Sequence, residues 1–480
     1  MQCLTLFLTK VQSFKKLLNG PIFWRLHPCQ LACIAFKAIP KLFKLGKNEF
    51  GKRGFAIMDF LKFATLLIFL VAYILMVGYY NKKARIIWAA VMALLLLTVI
   101  SPMEALFAIN GNVLGIYIGM LFISEVFIFS KVPDFLAVKL VNKASRMSTV
   151  LILVAVLSGL LSIAIENVAV VLIVAPIALA LSKKLEISPV PLLTAVAISS
   201  NLQGVATLIG DPPSMLLAGF AKMTFNDFFF FDGKPSLFFA VQIGAAASLF
   251  VLYYFFRRHS KPHQQFEEAR PRSFFPLFLL LFLVLALAFS SFLDPEFRYM
   301  AGLISMVFAL AAVIWYSFQN KPDVQPMLKR VDWETGAFLA GVFIVVDSLI
   351  KVGVVQDMAR LISGFTGTSV FFTYIVIVVA SLVFSAFVDN VPYIATMLPV
   401  VYQVSEIMHV SPYLFYFGLL IGASVGGNIT PIGASANIVA MGIAKKEGHN
   451  PRFWEFVKMG LPFTIVSATA SSVFVYLWFA

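Results

Sequence analysis

The sequence predicts an all-α polytopic membrane protein built as two inverted repeats, each with five transmembrane segments and one re-entrant hairpin, and with broken helices at the midplane. Three observations predict it. The 480 residues are 60% hydrophobic and 12% charged, with a mean hydropathy of +0.92, whereas soluble domains run near 25% charged. Many apolar runs reach the ~20 residues that cross a bilayer. The chain also matches itself at an offset of 223 residues, and the match is carried by polar residues.

The apolar runs are 61–80, 86–103, 112–130, 147–182, 189–220 and 236–256, then 274–292, 299–316, 334–350, 368–408, 411–444 and 457–479. As one straight helix, 147–182 would be ~54 Å long at 1.5 Å per residue, against a hydrocarbon core of ~30 Å. The run 368–408 is as long. Each carries an acid followed by Asn at its centre, Glu166-Asn167 and Asp389-Asn390, and so reads as two half-membrane helices meeting at a tip. Arg146 before the first long run and Lys183-Lys184 after it put both of its ends on the cytoplasmic face. With that hairpin counted, 21 basic residues fall in inside loops, among them Lys82 and Lys83, and five fall outside.

The self-match runs without a gap from Ser158 to Ser214, with thirteen identities in 57 positions. Ser158, Ser162, Asn167, Pro176, Gly204, Thr207 and Gly210 meet Ser381, Ser385, Asn390, Pro399, Gly427, Thr430 and Gly433, and Glu166 meets Asp389. An odd number of spans per half inserts the second copy upside down, an architecture shared by many secondary transporters. The stretches SSNLQGVATLIGDPPSM (199–215) and ASVGGNITPIGASANIV (423–439) carry enough Gly and Pro to unwind a helix beside each tip. The predicted organisation is a basic extension 1–57, a first repeat 58–256, a cytoplasmic linker 257–273 and a second repeat 274–480.

Residues 1–57 hold ten Lys/Arg against one acid and all three cysteines, Cys3, Cys29 and Cys33. Their expected origin is an upstream misreading, with translation starting at Met58. The remaining chain has no thiol for a disulfide or a soft metal. His27, His259, His263, His409 and His449 fall outside the expected site, so a histidine metal centre or histidine-based nucleophile has no support. The chain has no Walker-type phosphate loop, which argues against ATP drive.

An acid inside a membrane is functional by default. Glu166 and Asp389 are therefore candidates for cation coordination and proton carriage; the plainer reading is that each caps a helix. Asn167, Asn390, Thr207, Thr430, Asn428 and Asn437 offer amide and hydroxyl oxygens to a hard cation, or hydrogen-bond between helices. Ser162 and Ser385 lie one turn before the acids, and Gly210 and Gly433 sit in the broken stretches. Asp211, in GDPP, is a second proton site or an N-cap, with capping expected. Glu125 and Asp347 stand at near-equivalent places in the third span of each half and are further candidates for proton coupling. No Lys or Arg lies in the tips or broken helices.

Glu166-Asn167-Val168 with GVATLIGDPPS, and DNVPYIATMLP with GGNITPIGASAN, resemble the ion transporter superfamily. Within it the chain is similar to the branch of arsenite permeases, NhaD-type sodium/proton antiporters and the melanosomal P protein, a citrate-transporter-like domain. The resemblance spans about residues 60–480. It implies a homodimer with a scaffold part and a moving transport part that exchange access in an elevator-like way. In the dicarboxylate branch each tip resembles Ser-Asn-Thr; here the Ser position is acidic and the Thr hydroxyl is missing.

The function expected is secondary active transport of a small ion by alternating access, with Na⁺/H⁺ antiport first. Coupled permeation of an arsenite-like oxyanion or an organic acid, driven by Na⁺ or H⁺, is the alternative. No cofactor is expected beyond Na⁺ or H⁺ as coupling ion, and no nucleic-acid partner. An intramembrane aspartyl hydrolase and a passive channel fit the paired hairpins less well. The expected location is a bacterial-type plasma (inner) membrane.

Overall fold

The computed structural model describes residues 53–79, 82–144, 146–258, 270–319 and 324–480, with side chains from residue 59 onward. The cysteines, His27, His259, His263, most of the linker and the question of a Met58 start lie outside the described residues or turn on them.

Among the described residues, ten helices make up the first half: α1 (Arg53–Gly78), α2 (Lys83–Leu96), α3 (Pro102–Ala108), α4 (Gly111–Phe129), α5 (Val132–Val141), α6 (Met147–Ser162), α7 (Asn167–Leu185), α8 (Val190–Gly204), α9 (Pro212–Ala221) and α10 (Leu237–Phe256). Ten more make up the second: α11 (Phe275–Leu293), α12 (Met300–Gln319), α13 (Gln325–Arg330), α14 (Trp333–Lys351), α15 (Val354–Thr366), α16 (Val370–Ser385), α17 (Asn390–Met408), α18 (Tyr413–Gly426), α19 (Ser435–Lys446) and α20 (Phe453–Phe479). Among the described residues the one departure from helix is a small ribbon, β1 (Phe230–Phe231) paired antiparallel with β2 (Lys234–Pro235). Eight of the helices are long and apolar enough to cross a membrane: α4, α7, α10, α11, α12, α14, α20 and, from Asp59, α1.

Both long apolar runs break where the acid–Asn pairs stand. α6 stops at Ser162 and α7 starts at Asn167; α16 stops at Ser385 and α17 starts at Asn390. The arms are longer than the expected half-membrane helices. Their 16 and 19 residues amount to ~24 and ~28 Å, because the pair splits the run near its middle and leaves a nearly membrane-long apolar stretch on each side. The run 86–103 is shorter as a helix than it reads. α2 ends at Leu96, Thr98 takes a left-handed φ of 54°, and a Ser101/Glu104 capping box starts α3. There the Lys351 ammonium at 2.7 Å and the Ser101 backbone hold the Glu104 carboxyl down at about 2, so α3 stays pinned to α14 by an ion pair.

Residues 62–480 pack as one compact unit, and its contacts come in exchanged pairs. α4 packs on α12 while α14 packs on α2; α7 packs on α19 while α17 packs on α9; α10 packs on α20. Corresponding helices of the two halves thus make corresponding contacts across the chain. The α4–α12 seam is lined by small residues. A Cβ on Gly119 would lie 2.7 Å from the Ser305 backbone, and one on Gly115 would lie 3.1 Å from Gly302 Cα. Close approach of this kind replaces the hydrophobic effect as the glue between membrane helices. Asn112 adds a buried clamp, donating to Phe297 O at 2.9 Å and accepting from the Gly302 N–H at 2.6 Å.

Candidate functional site

At the first tip, Glu166 is half-buried and caps α7, its Oε2 accepting the Ala169 N–H at 3.1 Å. Asn167 follows, buried and bonded at both its oxygen and its nitrogen. Its Oδ1 accepts from the Ser162 hydroxyl, and its Nδ2 donates to Asp211 Oδ2 at 3.0 Å. Ser200 joins them, its hydroxyl 3.0 Å from Ser162 Oγ and 3.3 Å from Asn167 O. Between α8 and α9 the chain unwinds over residues 205–211 as predicted. Thr207 ties that stretch back to the tip by donating to Ile163 O. Glycine is required at 210, where a Cβ would come within 2.5 Å of Gly204 O and 2.6 Å of Ser162 O.

The second tip repeats the scaffold. Asp389 caps α17, its Oδ1 accepting the Val391 N–H at 3.1 Å. Thr430 donates to Ala386 O and Ser385 to Ala423 O, and a Cβ on Gly433 would crowd Gly427 O at 2.6 Å and Ser385 O at 2.8 Å. The polar contents differ. Asp211 has Ala434 as its counterpart 223 residues on, so Asn390, 7% exposed, makes no side-chain hydrogen bond among the described residues. Lys83, the first residue of α2 and itself 7% exposed, places its Nζ 3.4 Å from Asp389 Oδ2 and 5.1 Å from the centre of the Phe338 ring. This corrects two expectations. A basic group does stand at a tip, and Lys83 is no loop residue facing water. Its apolar run begins three residues later, and nothing local marks a partner 306 residues away.

Asp211 occupies the N-cap position of α9, yet its side chain makes no capping bond and takes the Asn167 amide instead. It is 3% exposed and, among the described residues, has no ion pair. Glu166 and Asp389 both lie within electrostatic range of it, and Lys83 and Asp332 within range of Glu166. The two tips and the first broken stretch thus form one charged cluster.

A third group of amides spans the halves. Asn201 Nδ2 donates to Asn428 Oδ1 at 2.8 Å and to Asn437 Oδ1 at 2.9 Å. Asn428 donates on to Ile198 O, and Asn437 to Gly427 O and Thr430 O. Every amide group of Asn437 is used, so it braces the second broken stretch against α8. Ser200 and Asn201 precede the GVATLIG motif and meet Ala423 and Ser424 at the 223-residue offset, so the repeat did not single them out. Glu125 and Asp347 stand apart from the tips. Glu125 has Arg330 as its charged neighbour, and Asp347 has Lys351 and Glu104.

Two broken helices and two capped tips sit among helices long and apolar enough to cross a membrane, and the comparisons place the chain among secondary transporters of the ion-transporter type. The chain belongs to the citrate transporter family CitMHS, whose description matches residues 66–422 and 365–480. An uncharacterized transporter of Mycobacterium tuberculosis (strain ATCC 25618 / H37Rv) is 31% identical over 432 residues, 86% of this chain and 96% of that one. The P protein of Homo sapiens is 26% identical over 441 residues, 75% of this chain and 52% of that longer protein. Among solved structures, the YdaH transporter of Alcanivorax borkumensis shares the fold with a TM-score of 0.55 at 13% identity, over 78% of this chain and 87% of that one. MtrF of Neisseria gonorrhoeae, described as illuminating a class of antimetabolite efflux pumps, gives 0.51 at 16% identity, over 78% of this chain and 81% of that one.

Proposed function

We propose that the protein is a Na⁺/H⁺ antiporter of the inner membrane, working as a homodimer by alternating access between two inverted repeats. The observation that carries this reading is Asp211. A carboxylate 3% exposed, with one neutral amide as its hydrogen-bond partner, is too costly to hold as a bare anion; it takes up a proton or a cation. Its partner Asn167 links on to Ser162 and Ser200, whose oxygens suit a hard monovalent cation, and among the described residues no basic side chain pairs with it. Proton and Na⁺ therefore compete for one oxygen-lined place, and that competition is antiport. Glu166, half-exposed at the mouth of the same tip, is the group through which either ion enters.

The test uses proteoliposomes with a trapped pH dye, pulsed with Na⁺, Li⁺ or K⁺. Wild type should expel protons on a Na⁺ or Li⁺ pulse. In D211N the rate should fall at least about a hundredfold, a loss of about 2.7 kcal/mol of barrier stabilisation, and E166Q should fall less. Full Na⁺-driven flux in D211N ends the proposal.

One observation favours a second reading. The Lys83 ammonium offers a basic partner to an oxyanion or organic acid, and a proton on Asp389 would release it. Uptake of labelled citrate or arsenite driven by an inward proton gradient, with no response to Na⁺, would select this permease.

A further inference from the structure

We infer that the chain stands in an inward-facing state and that Lys83 is the positioning residue that holds it there, its ammonium fixed on a frame at the end the two tips now occupy. The inference rests on the reading of two inverted repeats with alternating access. It adds which end the tips stand at and what keeps them there.

The frame is α2 beside α14. Lys83, at the start of α2, lies over Phe338 near the start of α14, its Nζ 5.1 Å from the ring centre. Alongside, the Trp88 indole N–H donates to Ala337 O at 2.9 Å, and a Cβ on Gly341 would lie 2.7 Å from the Ile87 side chain. At the far end Lys351 of α14 pairs with Glu104 of α3, the helix that follows α2. The two helices therefore run the same way. Lys82 and Arg85 at one start, and Lys329 and Arg330 before the other, mark that end as cytoplasmic.

Both tips stand at that end. On the inverted reading the second hairpin enters from the far face, and the 16 residues of α16 carry it ~24 Å into a core of ~30 Å. There Asp389 Oδ2 meets Lys83 Nζ at 3.4 Å. Beside the contact lies a cavity of about 70 Å³, lined by Val388 of the tip and by Met76 near the end of α1. The first hairpin enters from the cytoplasm through α6, another ~24 Å. Its Glu166 nonetheless lies within electrostatic range of Lys83 and of Asp332, the N-cap of α14. A tip that an arm of this length would carry most of the way across instead reaches groups at the start of the frame, so both tips have slid toward the cytoplasm.

From Ile86 to Leu96 in α2 and from Thr335 to Val346 in α14 the frame carries no charge. Sliding the tips outward along it parts Asp389 from its ammonium with no basic group to replace it. Breaking a buried ion pair in this way is strongly unfavourable. Because Lys83 reaches the acids of both tips, one side chain tilts the moving part toward the cytoplasmic end.

The experiment measures how fast a short bifunctional thiol reagent cross-links Met76→Cys to Val388→Cys, in proteoliposomes without an ion gradient. It uses the full chain with Cys3, Cys29 and Cys33 replaced by Ser. The rate follows the fraction of time the tips spend at the inward end. Lys83→Gln should slow it at least about fivefold, and Asp389→Asn should do the same. The two together should slow it no more than either alone, because they remove one contact. Lys83→Arg should keep at least about half the wild-type rate, whereas Lys83→Met, which keeps the apolar stem, should behave like Lys83→Gln. An unchanged rate in Lys83→Gln overturns the inference. So does an equal fall in a second pair, Glu104→Cys with Lys351→Cys at the far end of the frame, since the lysine would then be holding the frame together and not the tips. Cross-linking is read without flux, so a wild type that shows these rates but no Na⁺-driven proton flux ends the antiport reading and leaves this inference standing.

Discussion

Asn167 and Asn390 are the same residue at the same place in two copies of one motif, yet the amide of one is bonded at both its oxygen and its nitrogen and that of the other at neither, among the described residues. The cause is a single substitution, Asp211 against Ala434, which gives the first amide a carboxylate and leaves the second without one. Asn201 shows the opposite economy of roles. Its Nδ2 serves two amide oxygens, Asn428 and Asn437, in the other half of the chain, so it holds structure and handles no ion. Asn201→Leu strands both oxygens and should lower stability by about 1–2 kcal/mol, the range for an interhelical polar contact or an unsatisfied buried acceptor. The same variant should leave cation selectivity unchanged, because no charged group of the cluster is touched. Thermal unfolding in detergent reads the first expectation and the Na⁺/Li⁺ flux ratio reads the second; altered selectivity at unaltered stability would move Asn201 into the ion path.

Helix ends and helix seams in this chain follow different rules. The ends are chemical: Glu166 and Asp389 cap α7 and α17 with side-chain oxygens, while Asp211 heads α9 but spends its carboxylate on Asn167. Caps are readable because Asp, Asn, Ser and Thr favour that position. What the carboxylate then touches depends on a second element, and Asp211 is where the expectation of a plain cap failed. The seams are steric. α4 and α12 meet through the small residues Gly115, Gly119, Gly302 and Ser305, which bring the two backbones close together. Gly119→Leu would force that seam apart and should cost about 1–3 kcal/mol, the price of overpacking a well-fitted contact. Gly442, with open space around its Cβ position, is the control, and Gly442→Ala should be neutral. A smaller loss for Gly119→Leu than for Gly442→Ala, read as detergent melting temperature, would show that the seam yields.

At the scale of the molecule, the breaks at both tips, the unwound stretches and the shared spacing were legible because a duplication writes itself into the chain as a repeated offset. Partners across the halves were not. Lys83 meets Asp389 over 306 residues and Asn201 meets Asn428 over 227, and a repeat specifies what recurs within each copy without stating which copy faces which. Lys83 therefore read as a loop charge, and the inequality of the tips stayed hidden behind their matching motifs. That same contact now sets up a test of motion. The cavity beside Asp389 is walled on one side by Tyr73, Met76 and Val77 of α1 and on the other by Phe387 and Val388 of the second tip. If access alternates by moving the tips against a fixed scaffold, these walls part once in every cycle. Residues 58–480 contain no cysteine, so Val77→Cys with Phe387→Cys in a chain starting at Met58 gives a defined pair for a short bifunctional thiol reagent. Cross-linking should cut Na⁺-driven proton flux by about tenfold or more, equivalent to about 1.4 kcal/mol on the barrier, and a reductant that cleaves the linker should restore it. Undiminished flux in the cross-linked protein would mean that α1 and the second tip travel together, and the boundary between fixed and moving parts would have to be drawn elsewhere.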